Sequence, residues 1–156
     1  MSTMSPRDYL QQARGMRLRI EALNERRQRY EDLATSATAH YRSGPGGTKR
    51  VSSVEEYAVK LADLSEEMNL RAGIYAEALR EIEAAIDAVE DPKYRDILRY
   101  RYLNGWSWRM IERKMYYGNN YIFQLHLRAL QAVTVPRDAV PVEDRVRAAL
   151  KEHSKY

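Results

Sequence analysis

Along the first half of the chain, Ala13, Met16, Ile20, Leu23, Arg27, Tyr30, Ala34, Ala37 and Tyr41 recur at alternating spacings of three and four. That period puts them on one stripe of an α-helix, a coiled-coil seam with Arg27 as its one charged interruption. Ser5 precedes the run as a suitable N-cap, and Pro6 follows at the first helical position, where its missing N–H does no harm. A second run starts after Ser53, an N-cap with Glu56 in capping-box position. Its seam is Leu61, Leu64, Met68, Ala72, Tyr75, Leu79, Ile82, Ile86 and Val89. Between the runs, residues 43–50 carry Gly44, Pro45, Gly46 and Gly47, which end a helix and permit reversal. Two helices of similar length joined this way predict an antiparallel hairpin roughly 50 Å long at about 1.5 Å per residue. Val59, Leu70 and Ile74 fall off the seam. They predict a second buried surface on the second helix, covered by self-association or by the C-terminal part of the chain.

Asp91-Pro92 repeats the cap-plus-proline signal and marks a boundary. Three shorter helical segments follow, at 93–103, 107–115 and 119–133, broken at Asn104-Gly105-Trp106 and Tyr116-Tyr117-Gly118. Val135-Pro136 and Val140-Pro141 introduce a last amphipathic helix over 142–152 with Val142, Val146, Ala149 and Leu150 on one face. The fold class read from this is all-α: a long antiparallel helical hairpin over 5–90, a helix-turn-helix unit over 91–134, and a short C-terminal helix and tail over 135–156.

Composition narrows the chemistry. With no cysteine among 156 residues, a disulfide scaffold, a thiol nucleophile and thiolate metal sites are excluded. His40, His126 and His153 stand far apart, without the i, i+4 spacing of a helical metal site. The pattern therefore points to no metal and no cofactor, and His126 reads as a partly buried or surface helical histidine. Glu66-Glu67 and Glu81 with Glu83 do not share a helix face, so no catalytic acid pair is present and the reading is non-enzymatic. Residues 44–49 lack the Gly-Lys-Ser/Thr order of a phosphate loop. No apolar run reaches the roughly 18 residues of a membrane helix, and the N-terminus has no apolar signal core, so the expectation is a cytoplasmic protein.

The formal net charge of +4 conceals opposing blocks. Residues 1–50 carry +5, 51–91 carry −8, 92–135 carry +6 and 136–156 carry +1. A basic helix beside an acidic one favours their pairing over two copies of either, although both runs also suit merely solvated faces. The +6 block is left over, and it holds nine of the fifteen aromatic residues.

Three helices, the last two joined by a tight turn, follow the helix-turn-helix plan, whose second helix enters the DNA major groove. Ile97, Leu98, Leu103, Trp108, Ile111, Met115, Ile122, Leu125, Leu130 and Val133 recur at helical spacing and fill its core. Arg99, Arg101, Arg109, Arg113, Lys114 and Arg128 fall between them as candidates for phosphate contact, with simple solvation as the alternative. The aromatics read mainly as core.

Residues 98–108, Leu-Arg-Tyr-Arg-Tyr-Leu-Asn-Gly-Trp-Ser-Trp, and 126–130, His-Leu-Arg-Ala-Leu, resemble the helix-turn-helix of sigma factor region 4. In particular they resemble the small phage and prophage transcriptional regulators of the ArpU and RinA type. The likeness extends in outline over residues 10–133, including Leu33 to Thr38 and the Asp91-Pro92 junction. The resemblance implies binding to double-stranded DNA near phage promoters in the bacterial cytoplasm, contact with bacterial RNA polymerase, and control of late or packaging genes; the hairpin is expected to form a homo-oligomer, a dimer before larger rings, or to dock a partner. The chain departs from the pattern where DNA would be read. Tyr116 stands at the usual glycine of the turn, Gly118 at the usual cap, and Asn119, Asn120 and Gln124 where Arg or Lys is usual, with Leu127 also replacing a basic residue. Two readings stay open. Asn119, Asn120, Tyr121 and Gln124 read bases, the amides pairing with adenine, while the arginines hold phosphates; or base reading has decayed and the unit contacts protein. Asn119 also suits a plain helix cap. Other classes compatible with the pattern are a small terminase-like DNA-packaging component and a protein-binding adaptor or inhibitor that contacts RNA polymerase.

Overall fold

The hydroxyl of Ser5 accepts a hydrogen bond from the Asp8 amide at 3.1 Å, so the first helix starts at Pro6 as its cap predicts. The computed structural model describes residues 4–43 and 48–155, with side chains over 4–36 and 55–155. Over these residues the chain is all-α: α1 (Pro6–Ser43), α2 (Thr48–Asp87), α3 (Pro92–Leu98), a π-helical turn (Arg99–Leu103), α4 (Trp108–Met115), α5 (Asn119–Gln131) and α6 (Val142–His153). The expected linker at Gly44 to Gly47 and the seam side chains of Ala37 and Tyr41 lie outside the described residues. α2 begins at Thr48, so Ser53 sits inside it and not at its cap. Thr48 to Ser53 contains neither Gly nor Pro, and nothing there interrupts a helix.

α1 and α2 run antiparallel. The Arg19 guanidinium lies 6.0 Å from the centre of the Tyr75 ring, and further along α1 Arg27 hydrogen-bonds the earlier residue Asn69. The seam is buried at one end, through Ala13, Met16, Met68, Tyr75, Ile82 and Ile86. Burial declines toward the connection, where Tyr30, Ala34, Leu61 and Leu64 are only half covered. A two-helix pair offers each stripe one neighbour, so a full core forms only where further helices join it.

They join at the open end. Asp91 caps α3 by accepting from the Lys93 amide at 2.9 Å, and Arg95 reaches back to the carbonyls of Val89 and Glu90 at 2.8 and 3.0 Å. This fixes the angle at which the chain leaves α2. Tyr9, Leu10 and Ala13 of α1 then belong to the same core as Ile97, Leu98, Tyr102, Ile111 and Ile122. The boundary at residue 91 is therefore a break in secondary structure, while the core runs through it.

α6 is no tail. Gln12 of α1 accepts from the Val142 amide at 2.8 Å, which supplies the cap that Pro141 lacks a side chain to give. Val142 and Val146 are buried, and Arg145 pairs with Glu81 at 3.0 Å and Glu77 at 3.8 Å on α2. The Tyr75 hydroxyl donates to Glu143 at 3.1 Å. Of the second surface expected of α2, Ile74 packs partly buried against the shared core and Leu70 is half-buried, whereas Val59 is exposed. The charge pairing expected between α1 and α2 takes another form: among the described residues no ion pair joins them, and α6 bridges both through Arg19–Glu143 and Arg145–Glu81. Such exposed pairs contribute little each, and the apolar seam carries the stability.

Candidate nucleic-acid interface

A string of rings and one guanidinium fixes the position of α4 and α5. The π-helical turn is closed by the Asn104 amide on the Arg99 carbonyl at 2.8 Å. Its wide geometry leaves carbonyls to satisfy, and the Trp106 amide takes that of Tyr100 at 2.9 Å while Arg17 of α1 takes that of Leu103. Gly105, at φ +70°, supplies the reversal that brings Trp106 back onto Tyr100, ring centres 4.6 Å apart and nearly parallel. Arg101 donates to the Trp106 carbonyl at 3.0 Å and lies 4.4 Å over the Trp108 ring. Trp108 meets His126 edge-on at 4.7 Å, and His126 Nε2 lies 2.8 Å from the Tyr102 hydroxyl. His126 is fully buried, in contrast to its sequence reading, and burial, reinforced by Arg7 and Arg101, pushes its pKa down to about 4. It is a neutral strut between α5 and the π-helical turn.

α4 starts on Ser107, whose hydroxyl accepts from the Met110 amide at 3.3 Å, and ends on Tyr116 in the left-handed region at φ 59°. Tyr116 therefore performs the glycine's role in the turn, with its side chain 92% exposed. A non-glycine residue is strained there and this ring gains no burial in return. Tyr116→Gly should accordingly raise stability by about 1 kcal/mol in urea denaturation; an unchanged midpoint would show that the turn is relaxed.

α5 begins at Asn119 after Gly118, which offers no capping side chain, so Asn119 is the first helical residue and not the cap. Ile122, Leu125, His126, Ala129 and Leu130 bury one face. On the opposite face Asn120, Gln124, Leu127 and Gln131 follow one another at helical spacing, all exposed, with Phe123 on one flank and Tyr121 and Arg128 on the other. Of the expected base-reading residues, Asn120 and Gln124 lie at the centre of this face and Asn119 and Tyr121 at its edges. Arg109, Arg113 and Lys114 on α4 are exposed, as is Arg128.

Two of the expected phosphate contacts are engaged elsewhere. Arg99 is bound to Asp87 at the end of α2, which holds its pKa up, and Arg101 is committed to Trp106 and Trp108. Arg101 belongs to the brace, whereas Arg99 lies at the surface in an exposed pair with Asp87. Four cations, Arg109, Arg113, Lys114 and Arg128, remain on the α4–α5 surface.

No family model, curated protein or solved structure matches this chain in comparison. Sequence reasoning missed Phe123 as a surface residue of α5, 58% exposed, beside Leu127, 38% exposed. The signal was present: with 122, 125, 126, 129 and 130 assigned to the core, helical spacing turns 123 and 127 outward. Elsewhere, no helix among the described residues is long and apolar enough to cross a membrane.

Proposed function

We propose that the protein is a non-enzymatic, helix-turn-helix DNA-binding regulator of the phage type, with α5 entering the major groove of double-stranded DNA. The observation that carries this reading is the outward face of α5. It is a straight, solvent-facing row of hydrogen-bonding side chains on a helix anchored from behind, with exposed cations on the helix before it. Asn120 and Gln124 read bases, Asn119 and Tyr121 flank them, and Arg109, Arg113, Lys114 and Arg128 hold phosphates. Neutralising four phosphates gives a salt slope of about −3.6 in log affinity against log salt. Arg109→Ala or Arg113→Ala should weaken binding to all duplexes alike and reduce that slope by about one. Titration of labelled promoter-length duplex at several salt concentrations tests this. Binding that is absent, or that ignores salt, would end the proposal.

The exposed apolar side chains Met110, Phe123 and Leu127 favour a second reading, an adaptor that presents this face to a protein such as bacterial RNA polymerase. Self-association falls to the far half of the hairpin, where Leu33 and Val59 are exposed, and a dimer is the expected state in light scattering.

A further inference from the structure

The composition of the outward face of α5 selects among base pairs. Guanine presents two acceptors in the major groove and is read by the paired donors of arginine or lysine. The first two turns of this face hold no cation. They hold Asn120 and Gln124, whose amides can donate to and accept from one adenine edge at N7 and N6, and beside them Phe123 and Leu127. Asn120 with Gln124, and Phe123 with Leu127, form two parallel rows, each one helical turn long. One turn rises about 5.4 Å, so each row extends over roughly two base-pair steps. Thymine is the one base that offers an apolar group in that groove, its 5-methyl, and exposed Phe123 and Leu127 are suited to cover it. The exposed cations lie outside this neutral strip, Arg128 on its flank and Arg109, Arg113 and Lys114 on the preceding helix α4.

We infer that α5 reads an A·T core, the amides of Asn120 and Gln124 recognising adenine while Phe123 and Leu127 pack on thymine methyl groups. The inference rests on the DNA-binding reading above and adds the class of sequence recognised. On it, two of the three apolar side chains that suggest a protein partner, Phe123 and Leu127, are part of the base-reading surface.

Selection of the full chain on a random-sequence duplex library tests it, followed by titration of the selected duplex with thymine replaced by uracil or adenine by 7-deazaadenine. An A·T core should be enriched. Each methyl removed at a contacted position should lower affinity about fourfold. Phe123→Ala and Leu127→Ala should bind the thymine and uracil duplexes equally while keeping the salt slope, and Gln124→Ala should lose its response to 7-deazaadenine. All these side chains are exposed, and unchanged thermal melting confirms that the variants fold. Enrichment of a G·C core, or equal affinity of the unaltered protein for thymine and uracil duplexes, would overturn the inference and leave DNA binding standing. Absence of binding to any duplex would remove both and favour the protein partner.

Discussion

Leu10→Ala should destabilise the entire chain by about 3 kcal/mol, although the substitution lies in the first two turns of the protein. Leu10 is completely buried, in a core shared with Ile97, Leu98, Ile111 and Ile122 of the C-terminal helices. Removing its branched end leaves a cavity among residues from both halves, and neither half can collapse into it without moving the other. Two signals separate the halves. Both tryptophans, Trp106 and Trp108, lie in the helix-turn-helix, whereas helical circular dichroism comes mostly from α1 and α2. In urea the two signals should lose amplitude at one midpoint, and Leu10→Ala should shift both together. Leu18→Ala, at an exposed position on the same helix, should change stability by less than about 0.5 kcal/mol. Separate midpoints, with Leu10→Ala moving only the circular dichroism transition, would show that the halves fold independently.

Periodicity was enough to predict the seam, because alternating threes and fours leave one geometric solution, and Met16, Met68, Ile82 and Ile86 are buried as it requires. Caps were legible at Ser5 and Asp91, where the side chain acts on its own helix, whereas Ser53 carried the same signal in the interior of α2. What the sequence hid depends on partners distant in the chain. Gln12 caps α6 across 130 residues, and Tyr9 and Leu10 look like ordinary helical positions until the C-terminal unit folds over them. The π-helical turn has no local signature, since Arg99 to Leu103 suit an ordinary helix, and its consequence for Arg99 and Arg101 was hidden with it.

The same geometry changes what the sigma-like stretch signifies. Its most specific residues, from Leu98 to Trp108, are those that build the brace: Arg101 on Trp108, Trp106 on Tyr100, and Tyr102 on His126. A resemblance carried by these positions concerns how α5 is held. On the DNA-binding reading, what α5 recognises is set by Asn120, Phe123, Gln124 and Leu127, and at Asn120, Gln124 and Leu127 the chain departs from the family's basic residues.

The brace also makes stability depend on mild acid. His126 in the unfolded chain titrates at the ordinary value of 6.5, and in the folded protein it resists protonation until about 4. Between those values the unfolded state binds the proton and the folded state does not. The contribution is therefore complete above the unfolded pKa and is lost progressively as pH falls toward the folded one. From about pH 7 to about pH 5 the loss should be about 2 kcal/mol, or roughly 4–8 °C in Tm for a chain of this length. His126→Gln keeps a polar partner for the Tyr102 hydroxyl and cannot titrate. It should be less stable than the natural protein at neutral pH, because the contacts with Trp108 are lost, yet its stability should fall by about 2 kcal/mol less over the same acid interval. Because His126 is the strut behind α5, the proposed duplex binding should also be lost in this interval wherever unfolding becomes appreciable. Equal pH slopes for both proteins, or a His126 ring resonance titrating near 6.5 in the folded state, would show that this histidine meets solvent and does not brace the helix.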